Sequence, residues 1–121
     1  MVEIRALPGR ERLMMVFKGQ VTEEELVQAE QELREQLPST SPVFDMISDV
    51  SAAEKLSPAA IERIRRMGEL IVASGLRTHV RVVGRSGQAA VQFQRIARTV
   101  GYDSRLAYSV REAEELLDSS P

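Results

Sequence analysis

Residues 43–64 read VFDMISDVSAAEKLSPAAIERI. The mostly apolar run from Val43 to Val50 ends in Asp49-Val50-Ser51, a short polar loop follows, and a helix opens at Ser57-Pro58. Serine as N-cap with proline at the first helical position is favoured start chemistry, because proline lacks the donor that this position would leave unpaired. The stretch is a buried strand that feeds a helix through a polar loop. In open α/β sheets the carboxyl end of such a strand is where binding surfaces form.

Upstream, Val2-Glu3-Ile4-Arg5-Ala6-Leu7 alternates at period two, as a half-buried strand does. Pro8-Gly9-Arg10 is turn chemistry and Leu13-Met14-Met15-Val16-Phe17 is a second apolar run, so the pair predicts an antiparallel hairpin ending at Gly19. Thr22-Glu23-Glu24-Glu25 is a capping box. Leu26, Ala29, Leu33 and Leu37 then recur at helical spacing until Pro38 stops the helix, and Ser39-Thr40-Ser41-Pro42 connects it to the central strand.

Downstream, Ile61, Ile64, Gly68 and Ile71 form the buried stripe of a helix from Pro58 to about Ser74, with Gly75 as its stop. A strand over Thr78 to Val83 follows, and Gly84-Arg85-Ser86-Gly87 turns into a third helix. Its stripe is Val91, Phe93 or Gln94, Ile96, Ala97 and Val100, and it ends at Gly101. Arg105 to Tyr108 is a short strand, and the capping box Ser109-Val110-Arg111-Glu112 opens a last helix carrying Ala113, Leu116 and Leu117. The order β-β-α-β-α-β-α-β-α predicts an α/β fold. It is a single mixed sheet of about five strands, with an antiparallel opening hairpin followed by parallel β-α units, covered by about four helices. The loops at 51–56, 84–87 and 108–109 then share one edge of the sheet.

The 121 residues fit one domain spanning 1–121, with ordinary apolar (43%) and charged (28%) fractions rather than those of a disordered chain. No cysteine occurs, which excludes disulfides, thiolate nucleophiles and thiolate zinc sites. No apolar run approaches the roughly 20 residues of a membrane helix, and no signal core opens the chain, so a cytoplasmic protein without a membrane span is expected.

Charge is unevenly spread. Between Thr22 and Leu37 six glutamates face only Arg34, while between Ser57 and Arg98 eight arginines (Arg63, Arg65, Arg66, Arg77, Arg81, Arg85, Arg95, Arg98) face Glu62 and Glu69. Two solvated helix faces of opposite sign account for this pattern; a basic surface for an acidic partner is the sharper alternative. Nucleic acid is not expected, because there are two lysines and no interleaving of basic and aromatic residues.

Asp45 and Asp49 share a strand face but stand about 13 Å apart at ~3.3 Å per residue, too far to share a metal or a proton. Asp49 is better suited to tying down the loop that follows it. His79, the single histidine, falls near the start of its strand, opposite the expected binding edge, and no catalytic residue or metal site is predicted. Arg85, Ser86 and Gly87, at a strand-to-helix turn, are a candidate anion site, although a tight turn capped by Ser86 accounts for the same residues.

The order of elements and the Asp49-Val50-Ser51 strand end resemble the sulphate-transporter and anti-sigma-factor-antagonist (STAS) domain, in particular its SpoIIAA-like group. Antagonists of this kind carry a strand ending in aspartate-apolar-serine-glycine, then aspartate-serine-serine-glycine at a helix start, whose first serine is phosphorylated. Asp49-Val50-Ser51-Ala52 keeps the first part, and the second falls on Ser57-Pro58-Ala59-Ala60. The phosphoacceptor position is Pro58, so the resemblance implies an antagonist-like domain without the usual serine switch. Ser57 is the neighbouring hydroxyl that could take a phosphate instead. The stretch from Val80 to Leu117 resembles the ends of stand-alone members of the group.

The expected function is regulatory protein-protein interaction without catalysis or cofactor, with a kinase, sensor or anti-sigma-like protein as partner. The expected surface is Ser51, Glu54, Lys55 and Ser57 of the loop with Glu62, Arg65 and Arg66 of the following helix. One alternative is a small-molecule or lipid-binding domain with a cavity lined by Met46, Met67 and Phe93. Another is an enzyme that acts on a phosphorylated substrate through Arg85 and Ser86. The opening hairpin leaves a sheet edge that could support a homodimer.

Overall fold

In a computed structural model the chain forms one five-stranded sheet with strands in sequential order and four helices. The structure describes residues 1–7, 9, 11–37, 42–84 and 87–119. The hairpin strands β1 (Val2–Leu7) and β2 (Arg12–Gly19) pair antiparallel. β2 runs parallel to β3 (Phe44–Ala53), which runs parallel to β4 (Leu76–Val82), and β4 runs parallel to β5 (Arg105–Ala107). The helices are α1 (Glu23–Gln36), α2 (Pro58–Ala73), α3 (Gly87–Val100) and α4 (Val110–Asp118). The predicted turn residues Pro8 and Arg10, and the connection 38–41, lie outside the described residues.

The layering follows from the strand order. Each parallel crossover steps one strand further in the same direction, and right-handed crossovers then place every connecting helix on the same face. Accordingly, α1, α2 and α3 cover one face, over a core that includes Leu13, Met15, Phe17, Leu26, Leu33, Phe44, Met46, Met67 and Phe93. α4 closes the opposite face, where Ala113 and Leu117 pack on Met14, Val16, Ile47, Val80 and Val82. β3 lies in the middle and is buried on both sides, with Phe44 and Met46 toward one core and Ile47 toward the other.

Helix boundaries obey local chemistry. Thr22, Ser57 and Ser109 each accept a hydrogen bond from the amide three residues on, those of Glu25, Ala60 and Glu112. Gly75 stops α2 at φ +115°, a conformation that a side chain would strain.

Three expectations are corrected. β3 continues past Ser51 to Ala53, because a bulge in β3 between Asp49 and Ala52 keeps it in pairing with the end of β2, Lys18 with Ala52 and Gly19 with Ala53. β4 begins at Leu76 rather than Thr78, which moves His79 from the strand's start to its middle. Val91 is not in the helical stripe: it is half exposed, and Ala89 takes its place in the core.

The outer edge of β1 is not bare. Gln36, the last residue of α1, accepts from the Ala6 amide at 2.7 Å and donates to the Ile4 carbonyl at 3.1 Å. One side-chain amide thus occupies two of the edge groups that a second chain would pair with. Replacing Gln36 with alanine is expected to cost about 1–2 kcal/mol of stability for two lost hydrogen bonds. It is also expected to increase self-association, read as a concentration-dependent rise in apparent mass by light scattering.

Candidate functional site

The carboxyl ends of β3, β4 and β5 lie at one edge of the sheet because the three strands are parallel. The rim formed by the end of β3 and the loop to α2, residues 51–57, is held by partners for its backbone at Ser51, Glu54 and Leu56. Asp49 accepts from the Ser51 amide at 3.0 Å and from the Ser51 hydroxyl at 2.6 Å, as its position suggested. The Glu54 amide donates to the Gly19 carbonyl at 3.0 Å. Gln92 of α3 bonds both polar groups of Leu56, accepting from its amide at 2.8 Å and donating to its carbonyl at 3.0 Å. The side chains of Ala53 and Leu56 are buried beneath the loop. The neighbouring turn presses against this rim so closely that a Cβ at Gly84 would stand 2.5 Å from the Ser51 carbonyl oxygen, so only glycine fits.

Above this fixed backbone the side chains of Ser51, Glu54, Lys55 and Ser57 are exposed. On α2, Glu62 and Arg66 are exposed and Arg65 is half-buried, bridging Glu62 and Glu69. The Arg65 bridge holds the Glu62 carboxyl below its usual range. Arg63 reaches Glu23 at 3.6 Å, so the acidic and basic helices meet at their seam. An open groove of about 430 Å³ runs beside the rim, lined by Lys55, Gly87, Gln88, Val91, Gln92 and Arg95. Of the candidate anion site, Gly87 opens α3 within this groove; Arg85 and Ser86 lie outside the described residues.

Two of the eight arginines do not belong to a basic surface. Arg77 forms a two-pronged ion pair with the buried carboxylate of Asp45, at 3.0 and 3.1 Å. Arg81 is 1% exposed, pointing into the core between the sheet and α3, where one nitrogen donates to the Phe93 carbonyl at 3.3 Å.

Beside Arg81 lies a polar cluster that the sequence analysis missed. His79 sits between two serines, with Nε2 at 2.6 Å from Ser48 Oγ and Nδ1 at 2.6 Å from Ser104 Oγ, and its ring meets Tyr102 edge-on at 5.3 Å. Burial, helped by the charge of Arg81, pushes the His79 pKa down to about 3. The imidazole is therefore neutral at pH 7. Burial also raises the Tyr102 phenol above its ordinary value, against the pull of Arg81. A serine-histidine contact invites a nucleophile reading, yet a general base works best with a pKa near the operating pH. Ser48 moreover faces a cavity of only about 20 Å³. The signal was present in Thr78-His79-Val80-Arg81-Val82, where polar residues alternate with valines on what proves to be a doubly covered strand.

The architecture matches solved structures of known fold. No protein-family model and no curated protein sequence matches the chain, but solved structures do. The anti-sigma-factor antagonist SpoIIAA in its unphosphorylated form superposes with a TM-score of 0.66 at 10% identity, over 99% of this chain and 100% of that one. An uncharacterised DUF3478-family protein with a SpoIIAA-like fold, from Shewanella loihica, gives 0.72 at 16% identity over 97% and 92%. RsbS from Moorella thermoacetica, carrying a serine-to-glutamate substitution, gives 0.65 at 16% over 97% and 94%. The fold is thus that of the STAS-like, SpoIIAA-like domains, as the strand end and element order suggested.

The buried histidine has a consequence for stability. Below pH 6.5 the unfolded chain takes up a proton that the folded one refuses until about pH 3, so stability is lost as pH falls through that window. At ~1.4 kcal/mol per unit, the His79 contribution to the loss between pH 7.5 and pH 5 is expected to be roughly 2 kcal/mol. Urea unfolding at the two pH values measures it, and His79→Gln is expected to show a loss smaller by that amount.

Proposed function

We propose that the protein is a non-catalytic regulatory domain that grips another protein through the rim of residues 51–57 and the solvent face of α2. The contact residues are Ser51, Glu54, Lys55, Ser57, Glu62, Arg65 and Arg66. The partner is an anti-sigma-like protein, sensor or kinase, met in the cytoplasm, since fold neighbours include anti-sigma-factor antagonists.

The observation that carries this reading is the contrast within the rim. Backbone groups of Ser51, Glu54 and Leu56 are partnered from β3, β2 and α3, whereas the charged side chains of Glu54 and Lys55 stand in solvent. A surface ordered before binding avoids the entropic cost of ordering it on contact. Pro58, at the first turn of α2, carries no hydroxyl, which supports reading the domain as one without the usual serine switch. Ser57 is engaged as the N-cap, and that role supports reading it as a structural residue rather than a phosphoacceptor.

The lipid-binding alternative required a chamber lined by Met46, Met67 and Phe93. These residues do line a cavity, but about 20 Å³ suits one water-sized occupant rather than an acyl chain. Small size favours the interaction reading.

Affinity capture from native extract tests the surface. Glu54→Arg and Arg66→Glu are each expected to lose a partner that the wild type retains, while Arg5→Glu, an exposed change on distant β1, keeps it. Capture unchanged in both rim variants, or lost equally in Arg5→Glu, would move the site elsewhere.

A further inference from the structure

We propose that the cavity between the sheet, α2 and α3 is a binding site for a small monovalent anion of halide size, coordinated by Arg81. The cavity is lined by the polar groups of Ser48, Arg81 and Tyr102, with Met46, Met67 and Phe93 among its apolar walls, and no acidic side chain lines it. Its volume of about 20 Å³ exceeds the roughly 10–15 Å³ that one water-sized occupant needs, and is too small for sulfate or an organic acid.

Charge points to an anion rather than a neutral occupant. Arg81 is almost wholly buried, and its Nε and Nη1 atoms find no hydrogen-bond partner among the described residues. A guanidinium does not give up its proton near neutral pH, so the core holds a full positive charge. The Phe93 carbonyl and the Tyr102 phenol, kept neutral by burial, meet the guanidinium with partial charges only. Water in the cavity would satisfy a donor and leave the charge uncompensated; an anion does both, in a medium where Coulomb attraction is weakly screened.

The single histidine gains a defined role in this site. Ser48 can donate its hydroxyl proton to the anion only if His79 Nε2–H donates to Ser48 Oγ. His79 Nδ1 must then accept from Ser104. The anion therefore selects the Nε2–H tautomer. Tyr102 lines both the cavity and an outer cleft of about 410 Å³ that also contains His79 and Ser104, which marks a route of entry past its ring.

Thermal unfolding of the full chain tests the proposal in sodium chloride, bromide and gluconate at matched ionic strength. The midpoint is expected to rise with the logarithm of chloride or bromide concentration and to stay flat in gluconate, as for any ligand held by the folded state alone. Arg81→Met is expected to abolish the difference between chloride and gluconate. If that variant does not fold, Ser48→Ala is expected to raise the chloride concentration needed for half the effect several-fold. Crystals grown in bromide should show an anomalous peak against Arg81, and ¹⁵N shifts of His79 in chloride should report the Nε2–H tautomer. Equal midpoints in chloride and gluconate, a difference that survives in Arg81→Met, or bromide found on the surface alone would overturn the assignment.

Discussion

The parallel pairing of β3 with β2 on one side and β4 on the other is the constraint on which the rest of the molecule depends. β3 is buried on both faces, so its backbone groups must be satisfied within the ladder, and its register leaves little freedom to slip. A one-residue shift would drive Asp45 and Asp49 into the core that now receives Phe44, Met46 and Val50. The same register lets Asp45 meet Arg77 and brings Ser48 against His79. It also fixes where the strand ends, and the rim is built on its last residues.

Rim and core are built by opposite means. At the rim, polar side chains complete the backbone: Asp49 serves Ser51, Gln92 serves Leu56 and Ser57 serves Ala60. In the core, polar side chains bind one another, as in the Ser48–His79–Ser104 chain, or are left with donors to spare, as in Arg81. The first arrangement stiffens a surface while leaving its charges outward. The second places a charge away from bulk solvent, which is costly unless something compensates it. A fold shared with SpoIIAA and RsbS at 10% and 16% identity can carry both features, since fold and site vary independently.

Much of the architecture was legible in the residues themselves. Thr22, Ser57 and Ser109 announced their helices through side-chain chemistry that acts over three residues, and all three caps are formed. Asp49 could be assigned to its loop because an aspartate two residues before a free amide has a local partner. Errors arose where a distant element decided. The extension of β3 to Ala53 depends on the length of β2, and the exposure of Val91 on how α3 rolls against the sheet. Gln36 and Gln92 carry no local signal, because each satisfies backbone thirty or more residues away. Arg81 is of the same kind: its neighbours predict a strand, but only the helices overhead determine that its face is buried.

The central claim is that the rim is rigid before any partner arrives, and native-state hydrogen exchange tests it most directly. The amides of Ser51, Leu56 and Ala60 each donate to a side chain. In the free protein they should exchange slowly, with protection approaching that of the β3 amides from Met46 to Val50. Exchange of the Ser51 and Leu56 amides near the unprotected rate, while the amides from Met46 to Val50 stay protected, would contradict the account: the rim would then be a loose segment.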